Sequence, residues 1–223
     1  MITLSEHGLV ALLQNAAVIE EDGYGIKVAC LENGDYLKLY RRKRLLSSAL
    51  WSPPAKRFAT NAERLRQLGI PSPAIVETLL VPDRQLNGVR YQPLPGDTLR
   101  NHWRSLDAEQ RAGEVERFGT FLGQLHDAGV YFRSLHLGNV LILPDQSFGL
   151  IDLSDMQISR RPLTRGKRQR NLQHMLRYTE DRHWLTIEHR QQLVTGYAKQ
   201  CGNATAKRLA QALQQLHAGG GTL

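Results

Sequence analysis

The stretch Val130 to Asp155 reads VYFRSLHLGNVLILPDQSFGLIDLSD. A loop, Tyr131 to Asn139, leads into an apolar run, Val140-Leu141-Ile142-Leu143. Turn residues Pro144-Asp145-Gln146-Ser147 follow, and a second apolar run, Phe148 to Ile151, stops at Asp152. Two apolar runs of strand length split by turn residues predict a buried β-hairpin. Asn139 and Asp152 then lie at the open ends of neighbouring strands. An amide oxygen and a carboxylate converging there are hard oxygen ligands suited to Mg²⁺ carrying a nucleotide phosphate. The same two residue types also serve ordinary turn chemistry at the ends of a hairpin.

Working outward, Leu4 to Gln14 has apolar residues at helical spacing. Ala17 to Cys30 holds two strand-like runs around Gly23-Tyr24-Gly25, and the hairpin signal Asn33-Gly34 feeds a third run, Asp35 to Tyr40. Phe58 to Leu68 reads as a helix with Glu63 in its middle, ended by Gly69 and Ile70-Pro71-Ser72-Pro73. Ile75 to Val81 and Val89 to Tyr91 predict two more strands across the polar turn Pro82 to Gly88, and a proline-bearing linker, Gln92 to Arg100, follows. From Leu106 the pattern is helical. Asp107 is placed to cap a helix over Ala108 to Ala128, with Phe118, Phe121, Leu122 and Leu125 on one face and Gly129 closing it. His126 within it reads as a packed or capping histidine. Beyond the hairpin, helices are expected over Arg168 to Thr179, Ile187 to Cys201 and Ala204 to His217. The tail Gly219-Gly220-Gly221 is expected to be disordered.

At 223 residues the chain can bury a substantial core, as one domain or as a two-lobed unit. Its apolar and charged fractions, 41% and 22%, are those of a soluble globular protein. The first residues lack a basic n-region, and nowhere do eighteen uncharged apolar residues run together, so neither a signal peptide nor a membrane span is expected, and the expected location is the cytoplasm. Cys30 and Cys201 lack metal-ligand spacing and do not make a disulfide framework. The formal net charge of +8 favours an anionic partner, whether nucleotide, glycolipid, membrane surface or nucleic acid. The charge concentrates in Arg160 to Arg170, six basic residues in eleven with no acid. Such a run serves either as a solvated face or as a contact for an anion.

Several motifs carry a family resemblance. Leu135-His136-Leu137-Gly138-Asn139-Val140 resembles the L-H-x-G-N-hydrophobic loop of small-molecule kinases, and Ile151-Asp152-Leu153-Ser154-Asp155 resembles their I-D-x-x-D segment. Gln92-Pro93-Leu94-Pro95-Gly96-Asp97-Thr98-Leu99 is similar to their hinge motif, and Glu63 with Gly69, Ile70, Pro71 and Pro73 is similar to the E…G-I-P-x-P pattern of bacterial sugar and lipopolysaccharide kinases. The chain thus resembles the lipopolysaccharide core (Kdo and heptose) kinase family, in particular its small bacterial toluene-tolerance-type proteins. The resemblance implies an α+β, protein-kinase-like two-lobed fold with a small antiparallel-sheet N-lobe and a mainly helical C-lobe. The expected boundaries are residues 1–91 for the N-lobe, 92–96 for the hinge, 97–218 for the C-lobe and 219–223 for the tail.

The same resemblance implies ATP- and Mg²⁺-dependent phosphorylation of a sugar hydroxyl of the lipopolysaccharide inner core, at the cytoplasmic face of the inner membrane. Gly23 and Gly25 would let the backbone approach phosphates, Lys38 would neutralise them, and Glu63 would pair with Lys38. Gln92 and Leu94 would read adenine, and Asn139 and Asp152 would hold metal. Arg133 would hold the acceptor loop, and Arg165, Lys167, Arg168 and Arg170 would face the anionic acceptor. Read without the resemblance, Lys38 is a solvated residue on an alternating strand and Glu63 an exposed partner of Arg66 or Gln67. One position departs from the pattern. The residue five before Asn139, where the family has its catalytic Asp, is Ser134, and Phe132 stands where His is usual. Asp155 and His136 are the substitutes within reach in sequence. A pseudokinase that binds nucleotide or a partner, and a basic protein using the fold as a scaffold for anionic glycolipid, therefore stand beside the active kinase. Nucleic acid ranks lowest, because no aromatic-studded basic strand or helix is visible.

Overall fold

In the computed structural model, residues 1–41 and 52–218 are described. The expected glycine tail lies outside them. Two compact units emerge, one of residues 1–95 with 152–155, the other of residues 96–151 with 156–223. The mixed α+β class expected from the sequence is the one found.

The first unit is a sheet with a helix on each face. Its elements are β1 (Ile2–Thr3), α1 (Glu6–Leu13), β2 (Ala17–Asp22), β3 (Gly25–Cys30), β4 (Tyr36–Arg41), α2 (Pro54–Gln67), β5 (Ala74–Val81) and β6 (Leu86–Gln92). The strand order is β1-β5-β6-β4-β3-β2, antiparallel except for the β1–β5 pair. β1 escapes sequence detection because two residues carry no period. β2 is exposed along its whole length, and its acidic residues and register shifts blunt the open edge. Alternation along β4 puts Leu37 and Leu39 in a core with Leu9, Leu31, Leu79, Val81 and Leu86, against which Leu12 and Leu13 of α1 pack. The opposite face of the sheet meets α2, where the Phe58 and Tyr91 rings stack with centroids 5.2 Å apart.

α2 begins four residues before the apolar pattern does, because Pro54 occupies a first-turn position that needs no N–H donor. It ends as expected at Gly69, whose φ of +69° permits the closing bonds Gly69 N to Arg66 O and Ile70 N to Leu65 O.

The second unit contains β7 (Asp97–Thr98), α3 (Leu99–Arg104), α4 (Ala108–Asp127), β8 (Val130–Phe132), β9 (Val140–Ile142), β10 (Phe148–Leu150), β11 (Met156–Ile158), α5 (Arg165–Met175), α6 (Thr179–His183), α7 (Arg190–Cys201) and α8 (Asn203–Ala218). The hairpin read from the sequence is present, with Phe148 opposite Ile142 and Leu150 opposite Val140. All six residues of β9 and β10 are buried. α4 starts with a capping box between Asp107 and Gln110 and packs along α7. α3 is an additional short helix, capped by Thr98 in the segment read as a linker. Among the described residues, no helix is long and apolar enough to cross a membrane.

Candidate functional site

In the first unit the site is built on the α2 face of the sheet. Alternation that buries Leu37 and Leu39 sends Lys38 to the other side, where its Nζ lies 2.6 Å from Asp152 Oδ1. The Lys38 side chain retains 16% exposure and that of Asp152 38%. Asp152 adopts a φ of +57°, a left-handed conformation uncommon for residues with a side chain and taken more readily by Asp than by most. The groups that hold this turn lie on α2. Asn61 Nδ2 donates to Leu153 O at 2.8 Å, and Arg57 Nε donates to Ser154 O at 3.0 Å. Arg57 and Asn61 are four residues apart, hence on one helix face. Burial raises the phenol pKa values of Tyr40 and Tyr91 far above the ordinary range, and the Asp152 charge adds to the effect.

The expected Lys38–Glu63 pair is not formed. Glu63 sits two residues beyond Asn61, about 200° around the helix from the face that holds the Asp152 turn. Its carboxylate accepts from Arg66 at 2.7 Å and Gln67 at 2.9 Å, and these bonds lower its pKa to about 2. The residue paired with Lys38 is Asp152. Glu63 instead lines a groove of about 580 Å³ with Arg66, Ile70 and Leu94. Gln92 is exposed at the end of β6, opposite Ala74.

The turn at Gly23-Tyr24-Gly25 is a tight hairpin corner. Gly25 has a φ of +113°. Asp22 Oδ1 accepts from Tyr24 N at 2.9 Å and from Arg41 Nη1 at 3.1 Å, and Arg41 Nη2 also reaches Tyr24 O.

In the second unit, the loop 132–139 is held by backbone bonds and by two buried side chains that sequence reading missed. Leu135 N donates to Phe132 O at 3.1 Å, and Asn139 N donates to His136 O at 2.8 Å. Asn171 Nδ2 donates to Phe132 O at 2.6 Å. Asp181, fully buried, accepts from Leu137 N at 3.1 Å and from Arg100 at 2.8 and 2.9 Å, and the Arg100 guanidinium stacks on Tyr178. Asp181 stands 29 positions beyond Asp152, and no local motif marks it. A Cβ at Gly138 would lie 2.9 Å from Arg100 Nη1, so any other residue there would displace the end of that guanidinium.

Asn139 is buried. Its Nδ2 donates to Ser134 O at 2.9 Å, which leaves Oδ1 as the amide's acceptor, and its backbone O accepts from Ile151 N at 3.1 Å. The chain thus passes from a strand end bonded to Asn139 directly into Asp152. Ser134 is half-buried and Arg133 exposed. His136 Nδ1 accepts from Gly138 N at 3.1 Å, so a neutral ring carries its proton on Nε2 and the imidazole organises the loop itself. Asp155 ends the short turn Leu153–Asp155 in the first unit.

The basic run divides. Arg165 and Arg170 are exposed, and Lys167 lies over the Tyr131 ring at 5.7 Å. Arg168 does not face outward as an acceptor contact. It donates to Asp127 at 2.8 Å, Tyr197 OH at 2.6 Å and Leu163 O at 2.9 Å, an internal network that raises its pKa despite partial burial. Its place four residues into α5, beside the C-terminal ends of α4 and α7, turns it inward.

Asp152 in the first unit offers a carboxylate and Asn139 in the second an amide oxygen, each a hard oxygen donor of the kind Mg²⁺ takes. Among the described residues no group of three or more His, Cys, Asp or Glu could hold a metal by itself. Residues 97–197 match the lipopolysaccharide kinase (Kdo/WaaP) family. That stretch contains the loop, the hairpin, Asn139 and Asp152. No curated protein matches the chain.

Proposed function

Taking this family match over residues 97–197 as premise, we propose that the chain is a phosphotransferase that moves the γ-phosphoryl group of ATP, with Mg²⁺, to a sugar hydroxyl of the lipopolysaccharide inner core. The observation that carries the reading is the Lys38–Asp152 pair, which puts an ammonium beside a carboxylate held in the left-handed conformation. Bound Mg²⁺ would neutralise charge on the β- and γ-phosphates. In this reading Asp152 and Asn139 Oδ1 hold the ion, and Lys38 leaves its carboxylate partner for phosphate oxygens. Gly23 and Gly25 line the phosphates, and Gln92 and Leu94 approach adenine. Arg133, Arg165, Lys167 and Arg170 meet the anionic acceptor, at the membrane's cytoplasmic surface.

Ser134 favours a second reading. A neutral hydroxyl cannot serve as the carboxylate base, and general-base help is worth about 10²- to 10⁴-fold. Positioning and charge neutralisation supply most of phosphoryl transfer, so a slow enzyme is expected before a dead one. Asp155 is the substitute carboxylate; His136, with Nδ1 engaged, positions the loop. The test measures Mg²⁺-ATP binding and ATP turnover on a lipopolysaccharide-core acceptor for wild type, Ser134→Asp and Asp155→Ala. Slow wild-type turnover that rises in Ser134→Asp supports the kinase. Turnover only in Ser134→Asp establishes a pseudokinase. Absence of Mg²⁺-ATP binding in the wild type removes both readings.

A further inference from the structure

α5 and α8 together line a pocket of about 220 Å³ in the second unit. Arg165, Arg168 and Gln169 of α5 stand three and four residues apart, and Thr205, Arg208 and Gln215 of α8 also recur at helical spacing, so each helix turns one polar face to the same space. No carboxylate lines it. Leu163, Leu172 and Leu209 take part in the lining but are at most 5% exposed, and they leave almost no apolar surface for an occupant. Arg168 is already satisfied, since it donates to Asp127 at 2.8 Å, Tyr197 OH at 2.6 Å and Leu163 O at 2.9 Å. Its charge is spent on the fold. Arg165 and Arg208 are exposed, and among the described residues neither has an ion-pair partner. Two guanidinium groups thus share one small space without a counter-charge, an arrangement that like-charge repulsion opposes until an anion joins them. Thr205, Gln211 and Gln215 add hydroxyl and amide donors around them.

We propose that this pocket binds a phosphate group, free or as a small monoester, between Arg165 and Arg208. Charge selects the ligand, because a phosphate monoester carries about −1.5 to −2 at pH 7 and so balances two guanidinium groups, where a carboxylate would leave one uncompensated. Donor geometry agrees with charge. Each guanidinium offers a planar fork that meets two phosphate oxygens at once, and the forks arrive from different helices, which suits a group with three acceptor oxygens. Size limits what the phosphate can carry, since the volume falls below the roughly 300–1,000 Å³ typical of drug-sized ligands. Tyr197, the aromatic ring in the lining, is 1% exposed and offers no face on which a base would stack, so a nucleotide is not the ligand. Neither the 132–139 loop nor the hairpin lines the pocket. The inference therefore goes beyond the phosphoryl transfer proposed above, and it stands whether or not Arg165 also meets an acceptor.

The test is calorimetric titration of the full chain at pH 7.5 and fixed ionic strength with inorganic phosphate, glycerol 3-phosphate and acetate, each alone. At least one of the two phosphates should bind saturably, with acetate at least about tenfold weaker. Equal affinity for both phosphates assigns the site to the phosphate group itself, and tighter glycerol 3-phosphate assigns it to an ester. Arg165→Gln with Arg208→Gln should weaken that binding about tenfold or more. Arg160→Gln with Arg161→Gln, which removes the same charge from exposed positions outside the pocket, should leave it within about twofold. Lys38→Met should also leave it within about twofold, which separates the pocket from the proposed nucleotide site. Thermal melting confirms that each variant folds. Absence of saturable binding by either phosphate overturns the proposal, as does acetate binding as tightly as phosphate. Equal weakening in the two double variants would reduce the site to general surface attraction, and phosphate binding that survives in the Arg165/Arg208 variant or is lost in Lys38→Met would place it elsewhere; either result overturns the proposal as well.

Discussion

Lys38 Nζ lies 2.6 Å from Asp152 Oδ1, and the two residues are 114 positions apart in the chain. The carboxylate is presented by a left-handed residue whose following carbonyls, Leu153 O and Ser154 O, are held by Asn61 and Arg57. The pair is thus made by α2 and β4 together, in a conformation that would relax without those two side chains. Asp152→Ala should abolish the enhancement of ATP binding by Mg²⁺, while Lys38→Met should weaken ATP binding about tenfold or more with its Mg²⁺ dependence retained. Titrations with and without Mg²⁺ check both. Equal Mg²⁺ enhancement in wild type and Asp152→Ala would remove Asp152 from metal binding.

Glu63 should be dispensable for that binding. It is turned away from the face of α2 that carries Asn61, and its partners are Arg66 and Gln67. Glu63→Ala is expected to leave the ATP dissociation constant within about twofold of wild type, whereas Asn61→Ala, which frees Leu153 O, should weaken Mg²⁺-ATP binding. A large loss in Glu63→Ala would mean that Lys38 changes partner when nucleotide binds.

The hairpin was legible because both of its strands are fully buried and bounded by turn residues, and the α4 cap because Asp107, a capping residue type, stands directly before the helical pattern. The choice between Asp152 and Glu63 as partner of Lys38 was not. Both are carboxylates at plausible distances in sequence, and only the rotation of α2 decides between them. Arg168 misled for a related reason. A basic run reads as one surface, yet the helical period turns every fourth residue inward, and here that residue meets Asp127 and Tyr197. Asp181 and Asn171 were invisible because the loop groups they hold are the backbone N–H of Leu137 and the backbone O of Phe132, which every residue type supplies equally, and because Arg100, the other partner of Asp181, lies 81 positions away.

Asp181 is expected to matter for stability and for the loop together. It is fully buried and satisfies Arg100 as well as Leu137 N. Removing one partner of a buried ion pair typically costs about 3–5 kcal/mol, since the other charge is left uncompensated. Asp181→Ala should therefore lower unfolding free energy by about that amount, and Arg100→Met combined with it should cost less than the two single losses summed. Amide hydrogen exchange at Leu137 should quicken in Asp181→Ala relative to the hairpin strands. Unchanged exchange at Leu137 would leave Asp181 a packing residue without a role in holding the loop.

His126 should make the fold acid-sensitive. It is fully buried on α4, with Nδ1 2.8 Å from Tyr197 OH on α7, and Arg168 and Asn171 of α5 and Asp127 beside it face the same pocket of space. Burial first, and then the Arg168 guanidinium, pushes its pKa down to about 3. The folded state thus binds the proton less readily than the unfolded chain, whose histidine titrates near 6.5. The neutral ring's contribution is complete above about pH 6.5 and is lost as pH falls from there towards 3, at about 1.4 kcal/mol per pH unit. His126→Gln cannot gain that proton, so it should be less stable than wild type at pH 7.5 and lose less stability on acidification to pH 5. His189, also lowered by burial, titrates in both proteins and cancels in the difference. Urea unfolding at both pH values measures the two slopes. Parallel loss of stability in wild type and His126→Gln would show that the ring stays unprotonated in the unfolded chain as well, or that protonation is tolerated in the fold, and either result would end the account of His126 as its acid-sensitive group.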